Sequence, residues 1–305
     1  MKKLALIFAG VVLAGCALDR QDDFDVDYAL EFQPAMYMHV SADGAECFPE
    51  DQSFAVRAWT LPEKNSWKDD AAKAEEFLQL TEAKHVDSAK TWGFEEPVMW
   101  PSKHERLTFY AYSPVEAGDG CDVTSGISFL GVDVKADQTD LLYVDSVTDL
   151  DKMECGGTVV LPFRHALSSM SFKVKNRVQK QEQIIIRKIT LESANYKGDF
   201  RSLATPQWVL TDDKDQFVFF EGEQQSAQLP AEIGQMYWMV PQTLDTQVTV
   251  QWDFITEYGG YLTQKLSTVK MKTELKPGMN YTFTLSVGID DVKFLVEIIE
   301  NSLGI

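Results

Sequence analysis

The sequence predicts an all-β protein of two tandem β-sandwich domains, on three observations. Apolar and polar residues alternate with period two in short runs, turn residues separate those runs, and helical spacing is nearly absent between them. In Leu107 to Tyr112 (LTFYAY), one face carries Leu107, Phe109 and Ala111, and the other carries Thr108, Tyr110 and Tyr112. In Gln247 to Ile255, Val248, Val250, Trp252 and Phe254 share a face against Gln247, Thr249, Gln251 and Asp253. Half-buried antiparallel strands have this pattern because successive side chains point to opposite faces of a sheet. The helices that parallel crossovers need are missing, which disfavours βαβ units and favours sandwiches.

In order along the chain, the predicted strands begin with Tyr28 to Phe32, Phe54 to Leu61, Leu107 to Tyr112, Leu141 to Val144, Thr158 to Phe163 and Met170 to Val174. Ile184 to Leu191, Phe217 to Phe220, Met236 to Val240, Gln247 to Ile255, Tyr261 to Met271, Tyr281 to Val287 and Val292 to Ile299 follow. One segment breaks the pattern. Ser66 stands as an N-cap with Asp69 three residues on, and Ala71, Ala74, Phe77 and Leu78 recur at helical spacing, which predicts a surface helix over Trp67 to Leu80. The polar stretch Asn176 to Gln183 places a domain boundary, giving domains of 28–178 and 179–305, each of ordinary size.

The start of the chain reads differently. Lys2 and Lys3 precede an apolar run from Leu4 to Ala14. That run is too short to span a bilayer, which takes roughly 20 helical residues, and it fits the apolar core of an export signal. Leu13-Ala14-Gly15-Cys16 resembles the lipobox of bacterial lipoproteins. The resemblance implies a signal peptide over 1–15, cleavage between Gly15 and Cys16, and diacylation of the Cys16 thiol. An ordinary secretory signal with a chance cysteine is the alternative. Residues 16–27, with Asp19, Asp22, Asp23, Asp25 and Asp27, form an acidic tether too poor in large apolar groups to pack. This tether resembles the acidic export signal that sends Bacteroidetes lipoproteins to the outer leaflet. It is not a calcium loop, because Tyr28 stands where the loop needs glycine and Pro34 where it needs glutamate.

The formal net charge is −19, and loss of Lys2 and Lys3 with the signal takes it to −21. Nucleic-acid partners are excluded on that balance, since phosphate binding needs clustered Lys and Arg. Of the four cysteines, Cys47, Cys121 and Cys155 remain after Cys16. An oxidising compartment allows one disulfide among them, and the sequence leaves the pair open. No CxxC, HExxH, GxSxG or phosphate-binding loop occurs, so no enzyme, metal or cofactor is expected. His165 is the obvious candidate for a catalytic histidine, yet it sits at a strand turn and reads as a core or turn residue. His39, His85 and His104 lack partners at ligand spacing. Trp92, Trp100, Tyr110 and Tyr112 read as sandwich core before they read as a sugar-stacking platform. Asp87-Ser88-Ala89 and Asp145-Ser146-Val147 resemble a Bacteroidetes O-glycosylation pattern.

Several blocks in a fixed order carry a wider resemblance. They are Trp100-Pro101 with Leu107 to Pro114 (LTFYAYSP), Asp140 to Val144 (DLLYV), and Val159 to Ser168 (VVLPFRHALS) with Phe172 and Val174. Ile189 to Leu191 with Gly198 to Phe200, and Lys276 to Val287 (KPGMNYTFTLSV), follow. The set resembles the fimbrillin family, the pilin-like surface lipoproteins of Bacteroidales. The resemblance implies transthyretin-like sandwiches and other fimbrial subunits as partners. It also implies assembly by donor strand exchange, in which a neighbour's strand replaces one removed by a protease. On that reading Tyr28, Leu30 and Phe32 belong to the self-strand. Val292, Phe294, Val296 and Ile298 form one face of a candidate donor strand, with the last strand of the second domain as the equal alternative. Shaft subunits of the family are cut after Lys or Arg beyond the first strand, but here none lies between Arg20 and Arg57. Arg57, inside a predicted strand, is the candidate protease site. The departure favours a membrane-retained anchor, a tip or an accessory subunit at the outer membrane, mediating adhesion to host or bacterial surface ligands. The competing reading is a monomeric glycan-binding surface lipoprotein.

Overall fold

The computed structural model describes residues 27–36, 48–86, 91–202 and 206–302, with the backbone alone at 262–263 and 295–302. Gly15, Cys16, Cys47, His39, nearly all of the acidic tether and the Asp87-Ser88-Ala89 motif lie outside the described residues. All-β architecture is observed, in several sheets. The first half holds β1 (Glu31–Met36), β2 (Phe54–Pro62), β3 (Glu75–Val86), β4 (Thr91–Gly93), β5 (Glu105–Ser113), β6 (Gly120–Asp122), β7 (Gly126–Asp133), β8 (Leu142–Leu150) and β9 (Thr158–His165). Seven of these close on themselves in the order β1-β4-β3-β2-β5-β8-β9. Their inward residues, among them Phe32, Phe54, Val56, Phe109, Leu161 and Phe163, make one core.

The second half holds β10 (Ser168–Asn176), β11 (Gln183–Asn195), β12 (Lys197–Arg201), β13 (Gln207–Leu210), β14 (Lys214–Gln225), β15 (Ala231–Met239), β16 (Gln242–Ile255), β17 (Tyr261–Leu275), β18 (Met279–Val287) and β19 (Val292–Ser302). Sheet β15-β10-β18-β19 packs against sheet β14-β11-β16-β17, and Phe172 of β10 meets Phe219 of β14 edge to face at 4.8 Å. The predicted inward face of β16 is buried throughout at Val248, Val250, Trp252 and Phe254. The change of sheet falls at Ala166 and Leu167, so β10, ahead of residue 178, pairs with β15 and β18.

A fourth sheet, β13-β12-β7-β6, takes two strands from each half. Phe129 of β7 stacks on Phe200 of β12 at 5.7 Å, and Tyr112 and Tyr143 of the barrel pack onto this pair. This sheet explains why both faces of LTFYAY are buried. Leu107, Phe109 and Ala111 point into the barrel, while Tyr110 and Tyr112 join the core that runs under the bridging sheet into the sandwich. Phe200→Ala is therefore expected to cost about 3–5 kcal/mol in both halves together, seen as one displaced urea transition. Two separate transitions, with only the later strands affected, would show that the bridging sheet does not couple the halves.

The expected helix over Trp67 to Leu80 is not formed. A single turn, α1 (Trp67–Asp70), and a 3₁₀ turn at Ala71–Lys73 lead directly into β3. The Trp67 amide donates to the Asp149 carboxylate at 2.8 Å, and Ser66 makes no side-chain cap. A register shift hid the strand. Between the pairs Val56–Thr81 and Ala58–Leu78, β3 advances three residues while β2 advances two. The extra residue flips the phase, so Leu78 and Ala83 are both buried although an odd number apart.

Cys121 and Cys155 are both free thiols, so they do not pair with each other. Burial pushes the Cys121 thiol up to about 12, Arg57 only partly opposing it, which leaves an inert core thiol. The turn between β6 and β7 is held by Asp122, whose carboxylate accepts from the Thr124 amide at 2.6 Å and the Ser125 amide at 2.7 Å. Burial alone raises this carboxyl, but the Ser125 and Thr124 hydroxyls and amides outweigh it and lower it to about 2 from 3.8. A depressed carboxyl stabilises the fold above its unfolded value and loses that contribution as pH falls through the folded one. Asp122→Ala is expected to cost on the order of 1–2 kcal/mol at neutral pH and little near pH 2. Urea titration at both pH values checks this.

Candidate functional site

The barrel is closed by β1, which lies between β4 and β9. β1 runs parallel to β9, with Phe32 opposite Val159 and Met36 opposite Phe163, and meets β4 through the single pair Phe32–Trp92. Leu30, Phe32, Pro34 and Met36 are buried at every second position, as period two requires. Phe32 is fully buried and meets Phe54, Phe94 and Phe109 edge to face at 5.6–5.8 Å. The backbone just before β1 is fixed as well. The Leu30 amide donates to the Val98 carbonyl at 2.8 Å, and the Trp100 amide donates to the Tyr28 carbonyl at 2.9 Å. Tyr28, half-buried, lies over Gly157, where a Cβ would sit 3.1 Å from the tyrosine Cβ and φ is +90°. The structure thus places Tyr28, Leu30 and Phe32 on one continuous segment and extends their apolar face to Met36.

At the other end, β19 is the last strand of its own sheet, antiparallel to β18 with Val287 opposite Val292 and Leu285 opposite Phe294. Val292 is buried, and Phe294 is half-buried with its ring 5.5 Å from Phe283. Val296 and Ile298 lie on the same strand, their side chains outside the described set. Among the described residues, β19 has β18 as its one sheet neighbour, so its outer edge is unpaired within the sheet.

Arg57 lies in β2, which is flanked by β3 and β5. Its Nε donates to Glu76 Oε1 at 2.7 Å, its Nη1 donates to the Cys121 carbonyl at 2.5 Å, and the guanidinium lies 5.1 Å from the Trp59 ring centre. A protease needs an extended, unpaired segment, whereas this one lies between two strands, Arg57 pairing with Tyr110 of β5 and falling at the register shift against β3.

The aromatic candidates for a sugar platform, Trp92, Trp100, Tyr110 and Tyr112, are all buried. His104 makes a surface contact with Glu63 at 3.5 Å, and His85 lies edge-on to Trp92 at 4.7 Å. Among the described residues, no group of three His, Cys, Asp or Glu side chains is placed to hold a metal, and no helix is long and apolar enough to cross a membrane. His165 is buried at the end of β9, with Nδ1 2.5 Å from Asp140 Oδ2 and its ring stacked 5.8 Å from Trp238. The sequence showed His165 and the block containing Asp140 but not Trp238, which reaches them only through the pairing of β10 with β15.

A closed barrel coupled to a sandwich through a shared sheet defines an all-β protein of two joined sheet modules. Comparison with known proteins makes this more specific. The Fimbrillin-like family model matches residues 46–300. The chain belongs to the fimbrillin-like family, and its role is that of a fimbrial subunit associating with other fimbrial subunits. A fimbrial protein from Bacteroides vulgatus is similar in fold, with a TM-score of 0.64 and 16% identity over 88% of this chain and 99% of that one. A candidate cell adhesion protein from Bacteroides ovatus gives 0.56 and 14% over 89% and 96%. One from Bacteroides uniformis gives 0.54 and 13% over 88% and 96%. No curated protein matches the chain.

Proposed function

We propose that this fimbrial subunit is held in the outer membrane by acyl chains on Cys16, faces the medium, and serves as an anchor, a tip or an accessory subunit. It joins its neighbours by strand donation. Four alternate side chains, Leu30 just before β1 and Phe32, Pro34 and Met36 within it, buried at about 1.5–3 kcal/mol each, contribute about 6–12 kcal/mol gross. That is comparable with a whole domain's net stability of about 5–15 kcal/mol. A donated strand that fills the same groove therefore supplies enough to lock an assembly, with backbone hydrogen bonds for affinity and alternate pockets for fit. The unpaired outer edge of β19 makes that strand the candidate donor. Adhesion to a host or bacterial surface is part of the proposal, in keeping with the candidate cell adhesion proteins that are similar in fold.

One observation favours retention over shaft polymerisation. β1 closes the barrel, and the first basic residue after it, Arg57, lies inside β2, which is flanked by β3 and β5. Cutting at Arg20 frees the chain from its lipid yet keeps β1. Limited digestion of the folded protein by an arginine-specific protease is expected to cut at Arg20 and leave the Arg57–Ala58 bond intact. A stable product beginning at Ala58 would contradict this.

A further inference from the structure

We infer that the cleft where the barrel meets the sandwich is a binding site for a neutral, polyhydroxylated ring of monosaccharide size. This goes beyond strand donation and does not depend on it. The cleft holds about 380 Å³, at the small end of ligand pockets. Three of its walls are set by register. Trp238 of β15 pairs with Ser169 of β10, and Ser169 pairs with Asn280 of β18, so the three form a row across one sheet. His165 and Asp140 from the barrel complete the site, and Met236 adds an apolar surface.

Four of these residues carry a buried polar atom without a hydrogen-bond partner: His165 Nε2, Asp140 Oδ1, Ser169 Oγ and Asn280 Oδ1. His165 is 7% exposed and Ser169 1%. Isolated orphans occur in folded proteins, but four lining one cleft call for an explanation, since buried polar groups are almost always paired. The described residues supply no partner, and a ligand entering the cleft would.

The chemistry of the four atoms selects the ligand. Asp140 Oδ1 and Asn280 Oδ1 only accept, so the ligand must donate. Ser169 Oγ does either, and His165 Nε2 accepts in the neutral ring whose Nδ1–H faces Asp140, which suits hydroxyls, as these donate and accept in turn. The other Asp140 oxygen contacts His165 Nδ1 at 2.5 Å, and the carboxylate repels an anion. Trp238 and Met236 match the C–H face of a sugar ring.

The test is saturation-transfer NMR on the full chain, in a detergent without a sugar headgroup, with methyl glycosides of mannose, galactose and N-acetylglucosamine at millimolar concentration. At least one is expected to receive saturation at its ring protons. Ser169→Ala and Asn280→Ala are each expected to weaken it about tenfold, the effect of one lost hydrogen bond. Tm should stay level or rise, because each variant removes an unpaired buried group. Absence of transfer to all three glycosides, or equal binding by both variants, would overturn the assignment. A rise in Tm with no glycoside bound would mark the four atoms as structural only.

Discussion

Replacing Cys16 with serine is expected to abolish membrane retention altogether. Burying each CH₂ of an acyl chain contributes about 0.8 kcal/mol, one chain binds only marginally, and two or three anchor stably. Serine has no thiol to take the diacylglyceryl group, and the cut between Gly15 and Cys16 depends on that modification in the lipoproteins the segment resembles. Cys16→Ser should therefore accumulate as an uncut precursor and take up no labelled fatty acid, while the native chain is labelled and partitions into detergent. Equal labelling of the two would remove the lipid from the account. The acidic tether would then be a linker and no part of an outward-facing anchor.

Phe32→Ala is expected to be among the most damaging single core substitutions, at about 3–5 kcal/mol. Phe32 is fully buried, its ring meets three other rings, and it lies on the strand that closes the barrel. Truncation leaves a cavity that β1 cannot relax to fill, because it is pinned to β9 on one side and to Trp92 on the other. Urea denaturation measures the loss. A second readout bears on function, since a loosened β1 should admit a synthetic peptide of residues 28–36 more readily than the native chain does. A loss below about 1 kcal/mol, with no gain in peptide uptake, would mean that β1 is not the element on which closure depends.

Strands with an unbroken inward face were legible in the sequence, as in Val248 to Phe254, whose alternation survives intact in β16. β3 was not, because its register shift flips the phase between Leu78 and Ala83 and leaves Ala71, Ala74, Phe77 and Leu78 imitating a helix. The bridging sheet was not legible either. Its strands are short, and β12 finds β7 across more than sixty intervening residues, with no local signal to announce the pairing. One clue was present: the second face of LTFYAY carries Tyr110 and Tyr112 where a solvated face would carry polar residues. For the cleft, the sequence showed His165 and the block containing Asp140. Ser169, Asn280 and Trp238 join them only through the registers of β10 with β15 and β18.

The mature chain is expected to keep both its lipid and its first strand. Mass spectrometry of the N-terminal peptide of protein recovered from cells is the direct test. An acylated residue 16 as the first residue, with β1 retained, is the expected result. A mature form that starts at Ala58, unlipidated and in high-molecular-weight fibres, would contradict it and make the chain a shaft subunit.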